Sequence, residues 1–141
     1  MTARLLIVDD ELDIREMLSR HYRFKGFEVD LAGNGREALE ILSKKRIEIV
    51  ISDIMMPQMD GVELLKEIRI HYPMVRIIMI TGYVTLDNAL ACMGNGAETL
   101  VFKPLMELKE LDDAVLRALE GLKAWQKKLQ DLQRMKPSAD K

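Results

Sequence analysis

The chain has 141 residues with 21 lysines and arginines against 23 acids, a net charge of −2, which argues against a surface dominated by nucleic-acid-binding basic residues. Its length suits one domain with a sizeable core. Its single cysteine, Cys92, excludes an intramolecular disulfide and suits a reducing compartment; with no apolar run near ~18 residues and no signal-peptide pattern, a soluble, cytoplasmic protein that does not enter membranes is expected.

The first predicted strand is RLLIVD (4–9), and an amphipathic helix over 11–25 follows, with Ile14, Met17 and Leu18 at helical spacing. The second strand, FEVDLA (27–32), alternates apolar Phe27, Val29 and Leu31 with Glu28 and Asp30, as an edge strand with one wet face would. A helix over 34–45 leads to IEIVISD (47–53). A helix over 60–71, stopped before Pro73, leads to VRIIMIT (75–81). The helix over 84–95 is the weakest, because Gly94 and Gly96 lower its propensity. ETLVFK (98–103) is the fifth strand, and a long helix runs from 105 to about 134. Strand–helix alternation implies a parallel sheet covered on both faces. The continuous apolar runs of strands 1, 3 and 4 place them inside, giving a flavodoxin-like α/β fold, doubly wound, with five strands in the order 2-1-3-4-5.

Three carboxylates, Asp9, Asp10 and Glu11, follow the first strand at once. Such a cluster can simply start a helix, or it can hold a cation. Ligands of this fold bind beyond the carboxyl ends of the strands at the switch point. Those ends carry Asp9 and Asp10, Asp53, Thr81 and Lys103. Three carboxylates in one crevice make an oxygen site for a hard divalent cation. A hydroxyl and an ammonium beside them suit phosphoryl oxygens.

The pieces LLIVDDE, VISDIMMPQMDG, IIMITGY and GAETLVFKP, in this order and each at a strand end, resemble the receiver domain of bacterial two-component response regulators. The resemblance covers about residues 3–120, and ITGY is most similar to receivers of NtrC-type regulators. It implies a phosphoprotein of signal transduction and not a turnover enzyme. Asp53 would be the phosphoacceptor, charged by a sensor histidine kinase or a phosphotransfer protein. Mg²⁺ would be held by Asp10, Asp53 and the Met55 carbonyl, with Asp9 acting through water. Thr81 and Lys103 would contact the phosphoryl group, and Lys103–Pro104 would be cis. One departure stands out: Leu100 occupies the position where many receivers carry the aromatic partner of the switch threonine. A phosphohydrolase of the haloacid dehalogenase type would need an acid two residues after its nucleophile, and Asp53 is followed by Ile54 and Met55. A receiver that works without phosphorylation is the other alternative.

At the C-terminus, Leu108, Leu111, Val115, Ala118, Leu122, Trp125, Leu129 and Leu132 step by three and four, a heptad seam. Leu122 and the residues beyond it have no evident core to enter, so a homodimer through this helix is one expectation. The organisation reads as a receiver over 1–120, a helical extension over 121–135 and a disordered tail over 136–141, with no direct nucleic-acid binding by this chain.

Overall fold

The computed structural model describes residues 3–135; the tail over 136–141 lies outside them. The elements alternate: β1 (Arg4–Val8), α1 (Leu12–Phe24), β2 (Glu28–Ala32), α2 (Gly35–Lys44), β3 (Ile49–Asp53), α3 (Gly61–His71), β4 (Arg76–Thr81), α4 (Leu86–Gly94), β5 (Leu100–Phe102) and α5 (Lys109–Arg134). All strand pairs are parallel, in the order β2-β1-β3-β4-β5.

Alternate strand residues supply two cores. Leu6, Val8, Val50, Ile77 and Met79 pack with α2, α3 and α4 residues such as Leu42, Leu65 and Cys92 on one face. Leu5, Ile7, Ile49, Ile51, Ile78 and Ile80 pack with Leu18, Leu111 and Val115 of α1 and α5 on the other. Burial on both faces explains why these strands lack polar alternation. The edge strand β2 keeps its wet face: Glu28 and Asp30 pair with Arg4 of β1, and Asp30 also pairs with Lys45.

Local chemistry starts the helices. Asn34 accepts from the Glu37 N–H, Thr85 from the Asn88 N–H, and Asp60 and Glu63 form a capping box. The last helix starts at Lys109, four residues later than expected, and Leu105 and Leu108 pack against the core before it.

One expectation for α5 changes. Leu122 is only 5% exposed. It lines a groove of about 320 Å³ with Ile47, Tyr72, Val75 and Leu129, at the amino ends of β3 and β4. The sheet's lower edge thus supplies the core that Leu122 lacked on sequence grounds. The helix runs unbroken through residue 121, in line with the single long helix expected there. Gly121 has a packing reason, since a Cβ there would stand 3.3 Å from the Arg76 guanidinium. Beyond it, Trp125, Leu129 and Leu132 are 52%, 43% and 62% exposed.

Candidate phosphoryl-transfer site

The strand order brings the ends of β1 and β3 together, and the acids go with them. Oxygens of Asp9, Asp10 and Asp53 lie within 4.8 Å of one another. Asp9 is fully buried, Asp53 nearly so, and Asp10 exposed. The cluster thus has the geometry of a candidate cation site. Glu11, the N-cap of α1, makes no side-chain cap bond.

Asp9 and Asp53 are held by different segments. Asp9 Oδ1 accepts from the Glu11 N–H at 2.8 Å, and Arg15 of α1 donates to the Asp9 carbonyl at 2.6 Å. Asp53 Oδ1 accepts from the Ile54 N–H at 2.7 Å and the Met55 N–H at 3.3 Å, which points the carboxylate into the crevice. The loop after Asp53 then turns back tightly. Gly61 donates its N–H to the Ile54 carbonyl at 2.8 Å, and a Cβ at Gly61 would stand 2.1 Å from the Asp53 carbonyl oxygen. Only glycine fits that approach.

Lys103 enters from β5. Its backbone N–H donates to the Thr81 carbonyl at 2.8 Å, and the Lys103–Pro104 bond is cis. Its Nζ lies 3.0 Å from Asp53 Oδ2, 2.9 Å from Asp9 Oδ2 and 2.6 Å from Glu11 Oε1. Burial lowers the basicity of this ammonium, but bonds to Glu11, Asp9 and Asp53 outweigh it and raise the pKa above the ordinary lysine value. Asp9 goes the other way to an ordinary ion-paired acid. Burial pushes its carboxyl up, and the Glu11 N–H and Lys103 offset that only in part. Its Oδ2 is buried and makes no hydrogen bond of good geometry. A buried carboxylate oxygen whose close partner is the Lys103 ammonium at 2.9 Å, beside two further carboxylates, is a donor set that fits a hard divalent cation.

Thr81 is fully buried at the end of β4. Its hydroxyl donates to the Tyr83 carbonyl at 2.7 Å and accepts from the Tyr83 N–H at 3.3 Å. In this state it is tied to the β4–α4 loop. Leu100, at the position often aromatic, packs against the core under α4. The Met55 and Tyr83 side chains are exposed. The acids and the lysine singled out by sequence meet here, and Thr81 is linked to them through its backbone bond to Lys103. Two contributors escaped it: the Glu11 side chain, which read as part of the acidic cluster with no role of its own, and Arg15, which read as an ordinary helix residue.

A parallel five-stranded sheet with this acid, hydroxyl and ammonium set beyond its carboxyl edge defines a receiver. The family model for the response regulator receiver domain matches residues 5–116, and the chain belongs to that family. The regulatory protein AtoC of Escherichia coli (strain K12) is 41% identical over 134 residues, covering 94% of this chain and 29% of that protein. Sporulation initiation phosphotransferase F of Bacillus subtilis (strain 168) is 36% identical over 119 residues, covering 84% of this chain and 95% of that protein. Among solved structures, the response regulator TrrA of Thermotoga maritima in complex with Mg²⁺-BeF matches with a TM-score of 0.75 at 35% identity, covering 83% of this chain and 99% of that one. The chain thus spans less than a third of AtoC and nearly all of the sporulation protein. Phosphorylation on an aspartate with Mg²⁺ is the general function of this family, and its members work with histidine kinases or phosphotransfer proteins. Among the described residues no helix is long and apolar enough to cross a membrane.

Proposed function

We propose that Asp53 accepts a phosphoryl group from the phosphohistidine of a sensor kinase or phosphotransfer protein, and that this switches an output surface. The reading rests above all on Asp53, whose Oδ2 faces Lys103 Nζ at 3.0 Å while the oxygens of Asp9 and Asp10 lie within 4.8 Å. An oxygen of Asp53 attacks phosphorus, the new O–P bond forms, and the P–N bond to the donor imidazole breaks with its electron pair leaving on nitrogen. Lys103 offsets the phosphoryl oxygens' charge, and Thr81 gives up Tyr83 to donate to one of them. Asp10, Asp53 and the Met55 carbonyl would hold Mg²⁺, with Asp9 behind them. When bound, the ion supplies positive charge against the incoming oxygens. The chain turns over no external substrate in this reading, and it works in the cytoplasm.

A partner reading accompanies it. Trp125, Leu129 and Leu132 line the outer half of α5 and stay exposed. A second copy of the chain covers them in a weak homodimer.

The test is incubation of the chain with acetyl phosphate and Mg²⁺, read by intact mass. One added phosphoryl group is expected, and none in Asp53→Asn. Equal labelling of that variant would remove Asp53 from the role.

A further inference from the structure

The Lys103 ammonium has three hydrogens and three carboxylate neighbours, and its shortest contact is the one outside the metal-binding set, 2.6 Å to Glu11 Oε1. The two partners differ in environment: the Glu11 side chain is 60% exposed, while that of Lys103 is 11% exposed. Glu11 also forgoes the cap of its own helix to make this contact, and its backbone N–H orients Asp9. The one residue therefore touches both ends of the Asp9–Lys103 pair.

We propose that Glu11 is a positioning residue for phosphoryl transfer: it takes a share of the Lys103 ammonium at the rim of the site, which weakens that ammonium's hold on Asp9 and Asp53 and leaves their oxygens easier for a divalent cation to take. This rests on the receiver reading above. Without the Glu11 contact, the ammonium, already 2.9 Å from Asp9 Oδ2 and 3.0 Å from Asp53 Oδ2, pairs with these two alone and competes more strongly with the cation for the same oxygens. Asp9 Oδ2, buried and already 2.9 Å from Lys103 Nζ, is the oxygen on which this competition bears most directly. When a phosphoryl group arrives, Lys103 must turn to its oxygens. An exposed glutamate releases it at the small cost of a surface ion pair, whereas a buried partner would not.

Two variants separate contact from charge. E11Q removes the charge; E11D keeps the charge but is one methylene too short to hold the same contact. Mg²⁺ binding to the full chain is measured by titration calorimetry, and labelling by acetyl phosphate is timed at limiting and at saturating Mg²⁺. Both variants should bind Mg²⁺ about two- to fivefold more weakly, the range of a partly exposed ion pair. Both should label more slowly at limiting Mg²⁺ and within about twofold of the unaltered chain at saturation. Unaltered Mg²⁺ affinity in E11D would reduce the role of Glu11 to bulk charge and overturn the proposal. So would slow labelling of both variants at saturation. If the unaltered chain fails to label at all, the receiver reading fails, while the calorimetric comparison still decides whether Glu11 restrains Lys103.

Discussion

Lys103 Nζ and Asp53 Oδ2 lie 3.0 Å apart, joining the ends of β5 and β3 across β4 over a sequence separation of 50 residues. The pair serves two states. In the metal-free chain it neutralises a buried acid; in the proposed function the same ammonium meets a phosphoryl oxygen once Asp53 is phosphorylated.

Lys103→Met should therefore fail in both. Acetyl phosphate labelling should fall at least about tenfold, since a donor aimed at developing charge is lost. The metal-free chain should lose about 2 kcal/mol in urea unfolding, as Asp9 and Asp53 keep buried charge without a counterion. Mg²⁺ should restore more stability to this variant than to the unaltered chain, because the ion and the ammonium occupy overlapping roles. Labelling at the normal rate would show that Lys103 is only a structural counterion.

Asp9 sets a pH dependence opposite to that of the paired acids. Its folded pKa is raised above 3.8 by burial, so its charge destabilises the fold at neutral pH and that cost disappears as pH falls through the raised value. Asp30 and Asp112 are also partly buried, but Lys45 and Arg4, and His21 and Tyr22, hold them below 3.8. Their stabilisation is lost only as pH falls below that value. Without divalent ions, melting temperature should rise on acidification from about pH 7 toward the Asp9 value and then drop. Asp9→Asn should be more stable than the unaltered chain at neutral pH and should lack the rise. A monotonic fall from neutral pH in both chains would contradict this.

The aspartyl phosphate should be long-lived for a receiver. Met55 and Tyr83 lie two residues beyond Asp53 and Thr81; neither is an acid or amide suited to orient a water in line with the O–P bond, and both are bulky enough to shield it. Replacing Tyr83 with Glu and Met55 with Asn should speed loss of the phosphoryl group. The check is the decay of labelled mass after the donor is removed; decay within seconds in the unaltered chain, or slower decay in the double variant, goes against shielding.

Self-association should depend on α5 beyond Ala124. Truncation at Gly121 would also remove Leu122 from its groove, costing about 2–4 kcal/mol of fold stability and confounding the result. A chain ending at Ala124 keeps Leu122 and removes Trp125, Leu129 and Leu132. By sedimentation, the full chain should form a dimer at about 100 µM, and the shorter chain should stay monomeric. Equal monomeric masses would leave the outer helix as a linker.

The order of elements, the sheet and the acid, hydroxyl and ammonium positions were legible in the sequence. Two-face burial makes β1, β3 and β4 nearly continuous apolar runs, and the wet edge of β2 shows as alternation. Parallel strands with crossover helices then put their carboxyl ends at one edge, so Asp9, Asp10, Asp53, Thr81 and Lys103 must meet there. What the sequence left open depends on distances between elements far apart in the chain. Leu122 reads as surplus to the core because nothing local shows that Ile47, Tyr72 and Val75 form a groove beneath it. Gly121 lowers the helix propensity of α5, and only the fold sets the Arg76 guanidinium beside it. Glu11 reads as one more acid at a helix start; its pairing with Lys103, 92 residues away, exists only once β1 and β5 share a sheet. Periodicity reports which face of an element is buried, because burial acts on every turn or every second residue. It carries no record of which particular side chain stands opposite, because that is decided where two elements pack.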